Sequence, residues 1–285
     1  MEYLSLYRRY RPRRFSEIRG QDHVVAALSN AIREDRVFHA YLLSGPRGTG
    51  KTTAARILAK ALNCINLAGG EPCCECESCV SIESGTSFDL HELDAASNNK
   101  VDDVRDLLGK VSLGTPGRTK VYLLDEVHML TSGAENALLK TLEEPPAHVV
   151  FVMATTEPHK VVDTIRSRAQ HLELNLLSSD HLESLVRDVV VDAGLDVGGE
   201  GIGHAVRSAR GSARDALSAL DRVVAGGMVT GDTTTTDLLE AIAGQDTVGA
   251  LGALASGISR GREPRVVGEG LLAALREAFL LAMGL

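Results

Sequence analysis

Tryptophan is absent from this 285-residue chain, and all aromatic residues together make up 4% of it. So few flat rings leave little from which to build platforms that stack nucleic-acid bases. Net positive charge is also missing. The balance is −8, so the surface as a whole does not attract polyanions, and any nucleic-acid contact must come from a local basic patch. No apolar run approaches the length of a membrane span; even Leu271 to Leu285 is broken by Arg276 and Glu277. No membrane partner is expected. The basic N-terminus has no apolar segment behind it, so no signal peptide is expected and the expected compartment is the cytoplasm. Five cysteines there are not expected to form a disulfide framework.

What is present is ordinary for a globular protein, with 44% hydrophobic and 24% charged residues. The length allows two or three domains. The most informative stretch is Gly45-Pro46-Arg47-Gly48-Thr49-Gly50-Lys51-Thr52, which fits Gly-x4-Gly-Lys-Ser/Thr. The apolar run 40–43 before it reads as a buried strand, and Thr53 to Leu62 after it reads as a helix. Strand, glycine loop and helix are the setting of a phosphate-binding loop. The glycines let backbone N–H groups turn inward toward phosphate oxygens, and the positive end of the helix adds attraction. Lys51 is placed to reach the β- and γ-phosphates of a nucleotide, and Thr52 to ligate Mg2+. A plain glycine turn is the alternative.

Lys120 to His128 supplies a second motif. A buried strand ends in Asp125 and Glu126, where open parallel sheets bind ligands. Asp125 would hold Mg2+, and Glu126 would act as general base toward water. His128 reads as a packing or orienting residue rather than a catalytic one. Val149 to Thr156 is another buried strand; Thr155 at its end could read the γ-phosphate or simply cap the strand. Arg166 and Arg168 sit in a loop beyond the same edge and suit a charge-stabilising finger or a surface salt bridge. Ser212 is a plausible helix N-cap, and Arg214 behind it could swing onto bound phosphates.

Cys64, Cys73, Cys76 and Cys79 offer four thiolates at a spacing that suits tetrahedral Zn2+ in a closed, structural site. Cys74 is the spare. Free thiols and an iron–sulfur cluster are the alternatives. The segment Tyr7 to Phe15 is basic and aromatic, and Pro12 within it predicts an extended arm. Strands are expected at 40–44, 88–93, 121–124 and 149–156. After about residue 176 only helices are expected, with a linker at 226–236 and further helices at 237–243, 246–259 and 265–283.

In this order the pieces resemble the gamma/tau subunits of bacterial DNA polymerase III, the clamp-loader ATPases of the AAA+ superfamily. The resemblance is carried by Tyr10-Arg11-Pro12-x2-Phe15, the loop 45–52, the four cysteines, Asp125-Glu126-Val127-His128, Leu142-Glu143-Glu144-Pro145-Pro146, Ser167-Arg168 and Gly211-Ser212-x-Arg214-Asp215. It implies an α/β fold: a five-stranded parallel sheet flanked by helices, with an inserted zinc module. The expected domains are a nucleotide-binding core at 1–175, with the zinc module at about 64–79, a helical lid at 176–228, and a short, partial collar at 229–285.

The resemblance also assigns roles. ATP would be bound by Gly45, Pro46, Arg47, Gly48, Thr49, Gly50, Lys51, Thr52 and Thr53, with Arg11 and Pro12 at the adenine. Lys51, Asp125, Glu126, Thr155 and Arg214 would serve the chemistry, and Arg168 would complete a neighbouring subunit's site in trans. ATP, Mg2+ and structural Zn2+ are the implied cofactors. The implied partners are delta and delta-prime subunits, other copies of the chain, the sliding clamp and primer–template DNA, in a nucleoid-associated location. Lys100, Arg105 and Lys140 are candidate DNA contacts. Polymerase chemistry is expected to belong to another subunit. Ala169 stands where the family has cysteine, which carries no phosphate chemistry. A non-hydrolysing delta-prime-type subunit and an AAA+ branch-migration or helicase motor are the rival readings.

Overall fold

The computed structural model describes residues 4–98, 100–111, 114–226 and 234–283. Its centre is a parallel sheet of five strands: β1 (Ala40–Ser44), β2 (Leu90–Asp94), β3 (Lys120–Asp125), β4 (Val149–Thr155) and β5 (Gln170–Glu173), in the spatial order β2-β3-β4-β1-β5. β1 and β4 are buried along their whole length, and β3 is buried up to Asp125. That follows from near-continuous apolar sequence in strands covered on both faces.

The strand Gln170–Glu173 has no apolar run. It forms because Leu43 and Ser44 lead it along the sheet edge, pairing with Leu172 and Glu173. Its mixed composition suits an edge.

Helices α2 (Asp22–Arg33), α3 (Lys51–Asn63) and α4 (Glu77–Ser84) lie in or near the layer built on Tyr41, Leu43, Ile57 and Val152. On the other face, α5 (Val101–Leu108), α6 (Ser132–Glu143) and the short α7 (Asp163–Arg166) pack with Leu42, Tyr122, Leu124 and Met153.

The lid consists of α8 (Ser179–Asp192), α9 (Gly199–Ala209) and α10 (Ala213–Val224), which keep an apolar cluster of their own. Core and lid form one compact unit ending at Gly226. The N-terminal arm departs from the extended reading. Residues Leu6–Arg9 form a turn of helix, α1, and Leu6 is buried in the lid cluster. Pro12 stops this helix rather than preventing it.

The second unit contains α11 (Thr234–Ala243), α12 (Thr247–Ser259) and α13 (Pro264–Ala282). Thr234, Thr235 and Thr236 are helical, not linker; the remainder of the expected linker, 227–233, lies outside the described residues. Leu238 and Val267 are buried in this unit, whereas Val248, Leu272 and Phe279 are well exposed. Among the described residues no helix is long and apolar enough to cross a membrane.

Candidate active site

Because all strands run the same way, β1, β3 and β4 deliver their C-terminal residues to one edge. The chain leaves β1 by way of α3 and reaches β2 across two intervening strands, so this edge is a topological switch point, where ligands bind in open α/β sheets. A cleft of about 1130 Å³ opens there. Its walls include the glycine loop, Asp125, Glu126, Arg11, Pro12 and Arg214.

Two glycines of the loop have left-handed backbone and no room for a side chain. Gly45 has φ 138°, and a Cβ there would meet the Leu174 carbonyl oxygen at 2.1 Å. Gly48 has φ 78°, and its Cβ would meet Ser212 Oγ at 2.1 Å. The loop therefore touches the lid directly. Gly50 ends it as the N-cap of α3. Lys51 is 6% exposed and donates from Nζ to the carbonyls of Gly45 at 2.7 Å and Pro46 at 2.9 Å. Burial pulls its pKa down, against the upward pull of Glu126 and Asp125. Thr49 Oγ1 donates to Pro46 O.

Thr52 Oγ1 donates to Asp125 Oδ2 at 2.8 Å. The two residues expected to share Mg2+, 73 positions apart, thus meet. A hydroxyl and a carboxylate beside a glycine loop fit a hard, oxygen-seeking cation. Asp125 Oδ1 accepts the N–H of Glu126, whose own backbone is left-handed at φ 51°.

Glu126 Oε2 accepts both the N–H of Thr156 at 3.0 Å and its Oγ1–H at 2.9 Å. Nothing in the sequence around Thr156 signals this pairing. The side chain of His128 is 5% exposed and lies between acceptors: Nδ1 is 2.9 Å from Thr155 Oγ1 and 3.3 Å from Glu126 Oε2, and Nε2 is 3.4 Å from Glu157 Oε1. This is an orienting role. Thr155 Oγ1 also accepts the N–H of Glu157, so the strand-end cap exists alongside any other task.

Arg11 donates from Nε to Thr53 Oγ1 at 3.1 Å, and burial together with neighbouring Arg56 lowers its pKa. Ser212 caps α10 as expected, accepting from Asp215 N. The guanidinium of Arg214 sits over the Tyr7 ring, 4.9 Å from its centre. No signal in the sequence linked these two, which are brought together by α1 packing in the lid. Arg168 stands apart from the cleft: it donates to Glu143 Oε1 at 2.7 Å and to Thr164 O at 2.9 Å. Lys100, Arg105 and Lys140 are exposed, and Arg105 pairs with Asp102 at 3.7 Å.

Away from the cleft, the sulfurs of Cys64, Cys73, Cys76 and Cys79 all lie within 4.8 Å of one another. Zn–S bonds of about 2.3 Å in a tetrahedron place sulfurs about 3.8 Å apart, so the four fit one zinc ion. N–H groups of Glu75 and Cys76 point at Cys73 Sγ and lower its pKa to about 6, which favours the thiolate a metal needs. Burial pushes Cys64 and Cys79 up. Cys74, at φ 66°, turns its thiol out of the cluster toward Arg13 O. Replacing Cys76 by Ser is expected to leave less than one zinc per chain by elemental analysis and to lower Tm by about 5 °C or more.

Comparison with known proteins places this geometry. Residues 20–178 match the family described as DNA polymerase III, delta subunit. Among curated relatives, the DNA polymerase III subunit tau of Bacillus subtilis is 48% identical over 225 residues, covering 79% of this chain and 40% of that protein. The DNA polymerase III subunit gamma/tau of Mycobacterium tuberculosis is 42% identical over 295 residues, covering 98% of this chain and 51% of that one. The chain thus spans about half the length of these relatives or less. Among solved structures, the RuvB Holliday junction branch migration motor of Thermotoga maritima has a TM-score of 0.57 at 21% identity, covering 94% of this chain and 91% of that one. At that identity the likeness concerns the fold alone.

Proposed function

Since the chain belongs to this DNA polymerase III subunit family, we propose that it is the ATP-hydrolysing subunit of the sliding-clamp loader, acting at primer–template junctions during replication. The observation that carries the reading is the 2.8 Å bond between Thr52 and Asp125, which joins the glycine loop to the acidic strand end. A non-hydrolysing subunit would need neither Lys51 nor Glu126 in place. The names of the relatives, tau and gamma/tau, point the same way. RuvB offers only a shared architecture.

ATP lies with its phosphates in the glycine loop and its base toward Arg11 and Pro12. Thr52 and Asp125 would hold Mg2+, which would supply charge neutralisation at the phosphate oxygens. Lys51 exchanges its two carbonyl contacts for phosphate oxygens. Glu126, on leaving Thr156, takes a proton from the attacking water as the water oxygen bonds to the γ-phosphorus and the bond to ADP breaks. Thr155, bonded to His128, would sense the same phosphate from the end of β4. Arg214 leaves Tyr7 and brings the lid down.

The γ-phosphate favours one packing of subunits and its loss favours another, which couples hydrolysis to release of a clamp on DNA. Delta, delta-prime and further copies of the chain would complete the ring, in the cytoplasm at the nucleoid.

Arg168 lies outside its own cleft, as a residue serving a neighbour would. Arg168→Ala is expected to leave ATP affinity of the isolated chain within about twofold, and to lower clamp- and DNA-stimulated hydrolysis by the assembled loader about 10³-fold. Equal loss in both settings would remove the in-trans role. The overall reading is tested by equilibrium binding of labelled ATP with Mg2+, and by phosphate release with clamp, primed DNA and partner subunits. Failure to retain ATP under all these conditions would end it.

A further inference from the structure

The cysteine module and the nucleotide cleft are separate sites, yet one short segment belongs to both. Arg11 and Pro12 line the cleft, and so do Ile18 and Arg19. The residues between them rest on the cysteine module. Glu71 grips the segment with both carboxylate oxygens: Oε2 accepts the N–H of Phe15 and Oε1 that of Ser16, each at 2.8 Å. These are the first two N–H groups of the helical turn Phe15–Glu17, which has no side-chain cap of its own. In return, Arg14 Nη2 donates to Cys73 O at 2.9 Å, and Cys74 Sγ lies 3.3 Å from Arg13 O.

Glu71 is placed by the metal ligands. Cys64 and Cys73 close the loop that contains it, and Cys73 N donates to Cys64 Sγ at 3.3 Å. Within the loop Ala68 and Glu71 pair across a tight turn at Gly69 and Gly70, both with positive φ. Gly70 packs so closely on α2 that a Cβ there would approach Ser29 O to 2.9 Å. The turn thus aims Glu71 at the arm, and the approach of Cys73 to Cys64 holds the two ends of the loop together. Without a tie, the ends of a loop this short gain freedom and the carboxylate loses its fixed place.

We infer that Glu71 is a positioning residue for nucleotide binding, and that the four-cysteine site acts as the anchor for the base-side wall of the cleft. The inference rests on the nucleotide-binding reading above. It assigns the metal a task at a distance: holding Arg11 and Pro12 in place before ATP arrives, so that ordering them does not weaken binding. Phe15, fully buried, anchors the same segment through packing, so the module sets the backbone orientation and does not alone keep the arm attached.

The test uses the full chain and measures four things: zinc content, affinity for a fluorescent ATP analogue, amide exchange at Phe15 and Ser16, and kcat at saturating ATP. Glu71→Ala is expected to keep one zinc per chain, to bind nucleotide about tenfold more weakly, and to lose protection at those two amides, with kcat at saturating ATP unchanged. Glu71→Gln, which keeps one acceptor oxygen, falls between the two. Wild-type protein stripped of zinc by a chelator, and still folded by circular dichroism, shows the same affinity loss and the same exchange change. Should Glu71→Ala fail to fold, Arg14→Ala removes the reciprocal contact and is expected to weaken binding about threefold. Unchanged affinity in a zinc-replete Glu71→Ala, or in folded zinc-free protein, overturns the inference while leaving nucleotide binding intact. Absence of binding by the wild type overturns the underlying reading and the inference with it.

Discussion

Replacing Glu126 by Gln is expected to slow ATP hydrolysis by about 10²–10⁴-fold while leaving ATP affinity within about threefold. The size follows from what a positioned general base contributes to proton transfer. The retention of binding follows from geometry. Among the described residues Glu126 makes no hydrogen bond or ion pair to the glycine loop or Lys51, which feels it only through its charge; its carboxylate is held by the N–H and hydroxyl of Thr156, and the carboxamide oxygen can accept from the same donors. Its backbone, at φ 51°, is set by the turn after β3 and does not depend on the charge. Phosphate release measured beside equilibrium nucleotide binding separates the two effects. Equal loss of both would show that Glu126 is a binding residue, and unchanged hydrolysis would remove it from the chemistry.

Lys51→Met is expected to abolish hydrolysis, by at least about 10²-fold, without destabilising the fold. The first half rests on the loss of the one cation buried beneath the loop among the residues described there. The second half is less intuitive. Burial lowers the Lys51 pKa, so the folded protein binds that proton less tightly than the unfolded chain does. Below the folded pKa the buried ammonium therefore costs stability. The cost fades as pH rises through the folded pKa toward the ordinary lysine value of 10.5. Methionine keeps the apolar stem and removes the charge, so the variant's Tm is expected to equal or exceed that of wild type near pH 7. The gap is expected to shrink toward pH 10. Thermal melts across pH 7–10 check this. A variant that melts lower at pH 7 would mean that the two carbonyl contacts of Nζ outweigh its desolvation.

The nucleotide itself should replace those contacts. In wild type, saturating ATP is expected to raise Tm through binding to the folded state alone, and Lys51→Met is expected to lose this increment. The comparison also guards against a trivial cause, since a variant that had lost its fold would show a lower Tm without ligand.

Local sequence marked β1, β3 and β4 by their apolar runs, the region 88–93 as a further strand, the loop at 45–52, the paired acids at 125 and 126, the Ser212 cap and the cysteine set. Each is a short-range pattern whose physical meaning is complete within sixteen residues or fewer: an apolar run is buried, glycines turn, and thiolates at that spacing can converge. The rest needed the folded chain. The strand Gln170–Glu173 carries no apolar signature because an edge strand needs none; its place is decided by the free side of β1. Thr156 against Glu126, His128 between Thr155 and Glu157, Tyr7 beneath Arg214, and Glu71 on the arm all join residues from different elements. Their pairing depends on sheet order, on the packing of α1 with the lid, and on one closed loop. Hydrogen bonds and cation–π contacts act over a few ångströms, whereas the residues that make them can be two hundred positions apart, and nothing in a linear pattern encodes that distance.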